Sequence, residues 1–218
     1  YSCLMFVHLL DATEVGNAYC ELQERVAQLL AAQPHEVASA VVPHCPNWTV
    51  LNVLSHMVAV PEDVMARRME GVTTEAWTQR QVDRHSSRGL TELLTIWHVT
   101  VADFKSLLPS IPQPTISQFV FDQVTHEHDI RHAISLPGAR DSIAIVAAEG
   151  FIRDSLSRNP DSSIAELANS QVSGFDFVRS LSGRRSLAQI ADIGLPVEAV
   201  AAFIQTSPFD IPVESVSE

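Results

Sequence analysis

A chain of 218 residues is long enough to bury a core without cross-links, and falls between one large domain and two small ones. With 46% apolar and 18% charged residues it is neither a disordered chain nor a polytopic membrane protein, and 14 Lys+Arg against 26 Asp+Glu leave a formal charge of −12, which repels nucleic-acid backbones and anionic bilayers. Cys3, Cys20 and Cys45 are odd in number and match no paired-cysteine spacing, so neither a disulfide framework nor a cysteine zinc site is indicated, and a reducing cytoplasm is the expected location.

The chain opens on Tyr1, and the apolar run Cys3–Leu10 (CLMFVHLL) is too short for a membrane span and lacks the flanks of a signal peptide. It reads as a leader over residues 1–12, whose apolar side chains offer a surface for a homodimer. Only eight glycines occur and apolar residues recur at helical spacing, so the fold is expected to be mainly α. The first helix is predicted from about Thr13 to Ala32, with Val15, Ala18, Leu22, Val26 and Leu30 on one stripe. After the breaker-rich turn Pro43–Trp48, Thr49 is placed to N-cap a second helix that ends near Pro61. Residues 62–88 read as a long connection or a broken helix. A third helix spans Leu90–Leu108, and a fourth runs from near Ser117 to Ser135 before Pro137-Gly138. Four long amphipathic helices make a bundle. Asp141 is expected to cap a fifth helix; beyond it short helices are predicted around Phe175–Leu181, from a Ser186 cap to Gly194, and over Val197–Ile204. The organisation expected is a leader over 1–12, a helical bundle over 13–158 and a short, mostly helical C-terminal extension over 159–218.

The densest polar cluster, Asp122 to His132, lies in the middle of the fourth helix, where core residues are expected. At 100° per residue Asp122 and His126 share a face with Phe119, Ile130 and Ala133, the stripe that should face the bundle interior. A carboxylate and an imidazole one turn apart can both donate to one cation. His56, on the apolar stripe of the second helix, would add a second nitrogen if the two helices face each other. Two nitrogens and one oxygen with a fourth position open describe a catalytic divalent site, suited first to zinc, with nickel or iron as alternatives. Asp129, one turn beyond His126, is a candidate acceptor to orient its ring. The blander readings are a hydrogen-bonded core His56 and a helix-stabilising Asp122/His126 pair. His128/His132 reads as a solvated pair, Glu127/Arg131 as an i,i+4 surface ion pair, the three tryptophans as packing residues and Cys45 as inert.

Three strings carry a family resemblance. Cys45-Pro46-Asn47-Trp48-Thr49-Val50 followed by Val53-Leu54-Ser55-His56 resembles the "CPGWTV..VL.H" signature of mycothiol-dependent maleylpyruvate isomerase-like proteins, members of the DinB-like superfamily. The fourth-helix string is similar to their "E…H..D.R" signature, with Asp122 where glutamate is usual, then His126, Asp129 and Arg131. Phe177–Ser186 with Gln189 resembles their "…R…GRRS..Q" element. The resemblance implies a DinB-like four-helix bundle, a metal held by His56, Asp122 and His126, and mycothiol as a thiol cosubstrate whose sulfur binds the metal and loses its proton. In such isomerases the thiolate adds to a cis double bond, permits rotation and leaves; other members are linked to thiol transfer. The partners expected are thus a small-molecule thiol and an electrophilic substrate, with no nucleic acid and no membrane. A non-catalytic metal- or ligand-binding bundle is the alternative. The family's C-terminal part commonly resembles a sterol-carrier-like α/β module, for whose strands residues 159–172 leave little room.

Overall fold

The computed structural model describes residues 9–218, and the expected leader lies largely outside them. The chain is mainly α: ten α-helices and one two-stranded antiparallel ribbon occur among the described residues. The helices are α1 (Ala12–Ala31), α2 (Val50–Ala66), α3 (Glu75–Arg84), α4 (Leu90–Phe104), α5 (Thr115–Ala133), α6 (Ile143–Ser157), α7 (Ser162–Glu166), α8 (Gly174–Leu181), α9 (Leu187–Asp192) and α10 (Val197–Gln205). The ribbon pairs β1 (Val41–Val42) with β2 (Cys45–Thr49). No helix among the described residues is long and apolar enough to cross a membrane.

Two compact units divide the chain. One holds Tyr19–Ile111, Gln123–Gly138 and Glu218; the other holds residues 9–18, Pro112–Asp122 and Ala139–Ser217. The first unit holds α2, α3 and α4 whole together with the C-terminal parts of α1 and α5, and both α3 and α4 pack on α2. Its centre is aromatic: Trp97, Tyr19 and Phe104 are fully buried, Trp97 Nε1 donates to the Tyr19 hydroxyl at 3.2 Å, and the Tyr19 and Phe104 rings meet edge to face at 5.9 Å. Burial pushes the Tyr19 phenol far above its ordinary value, so it stays neutral. Leu22, Leu30, Leu54, Met57 and Leu93 complete the core, each contributing about 1.5–3 kcal/mol by leaving water.

Pro61 does not end α2. It lies inside the helix, which continues to Ala66 and closes at Arg67 in the left-handed conformation at φ 55°. Proline removes one backbone donor, but Val58, Ala59, Val60, Pro61 and Asp63 are all buried, and that packing carries the helix through. The connection 62–88 contains α3, whose mean composition is polar and whose buried face is only Trp77, Gln81 and Val82.

In the second unit α6 packs on α7 and α8, and α10 on α7, α8 and α9. Arg153 on α6 organises it: its guanidinium donates to Ala168 O at 2.6 Å and Ser170 O at 3.0 Å, pairs with Glu149 and lies 4.1 Å over the Phe177 ring. Helix α6 starts at Ile143 after Ser142, so Asp141 is not its cap. Ser186 does cap α9, in a capping box with Gln189. Gly183 is required at its φ of +71°, and a Cβ there would sit 2.5 Å from Asp210 O. Residues 159–172 hold α7 and a 3-10 turn, and no strand.

Candidate metal centre

Thr49 fixes where α2 begins. Its hydroxyl accepts from Asn52 N, and Asn52 Oδ1 accepts from Thr49 N at 2.9 Å, a reciprocal cap that sets the phase of the helix. Two turns later His56 is 2% exposed. Its Nδ1 lies 2.7 Å from Oε1 of the fully buried Gln81 on α3, and Gln81 Nε2 donates to Asp63 Oδ2 at 2.8 Å. A carboxylate only accepts, so the amide nitrogen must face Asp63 and the amide oxygen must face His56. An amide oxygen likewise only accepts, so His56 carries its proton on Nδ1 and keeps a lone pair on Nε2. Asp63 is 2% exposed and is held by Arg68 Nε and Arg84 Nη2, each at 2.7 Å.

Helix α5 brings the second imidazole. The His126 side chain is 12% exposed, and its Nδ1 lies 3.1 Å from Oδ2 of Asp129, which is fully buried. The carboxylate again fixes a proton on Nδ1, so the neutral ring has its lone pair on Nε2. The His56 and His126 rings stand edge to face with centroids 4.9 Å apart. Asp122 precedes His126 by one turn of the same helix. His56, Asp122 and His126 each offer one ligand atom, all within 4.8 Å of one another. Two neutral imidazoles and a carboxylate are the donor chemistry of a borderline divalent cation, so the residues present fit such an ion.

The structure also places the other residues that the sequence singled out. Trp48 is half-buried with its ring 5.7 Å from that of His56 and 6.1 Å from that of His126, so it walls the two imidazoles rather than filling the core. Cys45 Sγ donates to Asp129 Oδ2 at 3.8 Å, and Cys45, His126 and Asp129 form a second group with ligand atoms within 4.8 Å. Glu127 and Arg131 are not a surface pair: Glu127 is fully buried, accepting from Arg25 at 2.8 and 2.6 Å and from Arg131 at 2.9 Å. Burial alone would depress the Arg25 guanidinium, yet the Glu127 hydrogen bonds and charge hold it above its ordinary value. His128 is buried, 4% exposed, and His132 side-chain exposure is 13%, so neither is solvated as expected. Gln81 went unforeseen; its only trace in the sequence is the i,i+4 spacing from Trp77, which puts both on one face of α3.

The sequence model of the family described as the mycothiol maleylpyruvate isomerase N-terminal domain matches residues 20–131. The chain belongs to that family. The match runs through the Thr49 cap, His56, Gln81, Asp122, His126 and Asp129, and ends at Arg131. This mycothiol isomerase family domain therefore includes every residue of the constellation just described, while α6 to α10 lie beyond it. No curated protein and no solved structure matches the chain.

Proposed function

We propose that the protein is a metal-dependent enzyme in which His56, Asp122 and His126 bind a divalent ion, zinc first and nickel or iron as alternatives, and which activates mycothiol toward a small electrophile. The observation that carries this reading is the matched orientation of two imidazoles: each Nδ1–H is directed to an oxygen acceptor, His56 to Gln81 and His126 to Asp129, with the rings 4.9 Å apart. Bound zinc supplies Lewis acidity that makes a coordinated thiol a thiolate at neutral pH. The chain's own residues do the rest. Gln81 and Asp129 hold the tautomers, the Asp63 carboxylate with its two arginines locks Gln81, and Trp48 restricts water at the two rings. The mycothiol thiolate adds to the electrophilic carbon of the substrate. Where that carbon belongs to a cis double bond conjugated with a carbonyl, the π electrons move onto the carbonyl oxygen as an enolate, and rotation about the new single bond followed by collapse of the enolate and departure of the thiolate gives the trans isomer; where the enolate carbon instead takes up the proton released by the thiol, the saturated S-adduct is the product. Asp122 is one methylene shorter than glutamate and remains a competent oxygen donor. This chemistry belongs in a reducing, thiol-buffered cytoplasm.

The test is turnover of a panel of electrophiles, maleylpyruvate included, with and without mycothiol. Thiol-dependent turnover that falls at least 100-fold in His126→Ala is the expected result. Absence of turnover in the metal-loaded wild type with every electrophile overturns the enzymatic reading.

Cys45 favours a second reading. With Sγ, His126 and Asp129 all within ligand range, a protein thiolate could close the coordination shell, as structural zinc sites do, and the bundle would then be a non-catalytic metal-binding protein. Cobalt substitution separates the two: a thiolate-to-cobalt charge-transfer band in the absence of added thiol, lost in Cys45→Ser, marks the closed site.

A further inference from the structure

A third cluster lies away from the His56 group. His44, in the turn between β1 and β2, His132, in the last turn of α5, and Glu218 each offer one ligand atom, all within 4.8 Å of one another. The side chains are 1%, 13% and 5% exposed respectively, although each residue taken whole is half-buried. The imidazoles of His44 and His132 have centroids 4.9 Å apart at an interplanar angle of 41°. Glu218 Oε1 stands 3.0 Å from His44 Nε2 and 4.0 Å from His132 Nδ1. Among the described residues neither ring nitrogen of His44 has a hydrogen-bond partner, and the Glu218 carboxylate stands 3.0 Å from Nε2 as an ion-pair contact.

We propose that His44, His132 and Glu218 form a second divalent-cation site that takes zinc. A buried imidazole without hydrogen bonds is unfavourable. A cation resolves this, because it accepts the ring lone pair while the carboxylate beside it balances the cation's charge. Zinc bonds of about 2.0–2.2 Å place tetrahedral donors about 3.3–3.5 Å apart, within the range of separations seen here. Nitrogen and carboxylate donors in a two-to-one ratio are a zinc set. The site is separate from the one proposed above. His126 and His132 are six residues apart on one helix, a rise of about 9 Å, whereas paired metals acting on one substrate lie about 3.5–4 Å apart. The second ion therefore has a fastening role, tying the β1–β2 turn and Glu218 to the end of α5.

The experiment is zinc stoichiometry by elemental analysis of the full, untagged chain after reconstitution and desalting, with cobalt absorption titration alongside. Wild type is expected to hold two equivalents. Glu218→Ala and His132→Ala each lose one equivalent, or bind it at least tenfold more weakly, and keep the cobalt spectrum of the other. His56→Ala loses the other equivalent and keeps this one. Glu218→Ala and His132→Ala that bind as much zinc as wild type, with unchanged cobalt spectra, overturn the second site. Failure of the first site reads differently: His56→Ala and His126→Ala would leave stoichiometry unchanged while Glu218→Ala lowered it. Glu218 caps no helix and fills no core position, so its variant keeps the test open if a histidine variant fails to fold.

Discussion

Helix α5 buries polar groups in two ways. Glu127 meets Arg25 and Arg131, so acceptors and donors are matched and the charges are complementary. Asp122, His126 and Asp129 instead belong to clusters of lone-pair donors: each of the groups His56/Asp122/His126 and Cys45/His126/Asp129 gathers ligand atoms within 4.8 Å. A closed ion-pair network is architecture; converging lone pairs whose tautomers are fixed from behind are the preparation of a cation site. The two sets alternate along one helix, so burial alone does not separate scaffold from chemistry. The character of the partner does.

Four perturbations break or sharpen that contrast. The largest effect is expected for Glu127→Ala, which strands two guanidiniums. Stability should fall by about 3 kcal/mol, near the low end for a broken buried pair because Arg25 keeps 26% of its side chain in solvent. Chemical denaturation measures this, and the folded fraction should still bind metal. Gln81→Leu comes next: it removes the acceptor of His56 Nδ1 and a donor to Asp63, costing about 1–3 kcal/mol and weakening metal binding about 10- to 100-fold. Calorimetric titration with zinc reads the second effect. Asp129→Asn should reproduce that loss of affinity with a smaller loss of stability, because it preserves volume while weakening the acceptor of the His126 ring and of Cys45. Equal melting-temperature drops in Asp129→Asn and Glu127→Ala would erase the distinction between the two faces.

The smallest effect concerns acid. Despite burial, which alone would raise it, the hydrogen bonds and charges of His85 and Arg84 hold the Glu62 carboxyl below its ordinary 4.5. A depressed carboxylate contributes stability that is complete above the unfolded value and is lost as pH falls through the folded one, so the loss lies below pH 4.5. Glu62→Gln should lower stability by a constant amount near neutrality and flatten the profile in that acid range, where variant and wild type converge, as urea unfolding at several pH values would record.

Local chemistry was legible where it is written in neighbours. Thr49 and Ser186 announce their helix starts because a cap and its reciprocal side chain lie three residues apart. The α5 cluster was legible because charged and imidazole groups interrupt an apolar stripe. What the letters hide is long-range or neutral. Arg25 reaches Glu127 across 102 residues, so the i,i+4 pattern with Arg131 looks like a solvent pair until the fold closes. Gln81 is an uncharged amide on a polar helix and carries no motif, although it fixes the tautomer of His56. Pro61 reads as a stop, and only the burial around it explains why α2 runs on to Ala66.

The most direct measurement is the metal content of the untagged protein beside His56→Ala and His126→Ala, each checked for helicity. The account predicts that both variants fold and that each loses the same one equivalent of divalent ion. Folded variants that both retain the wild-type complement would contradict it.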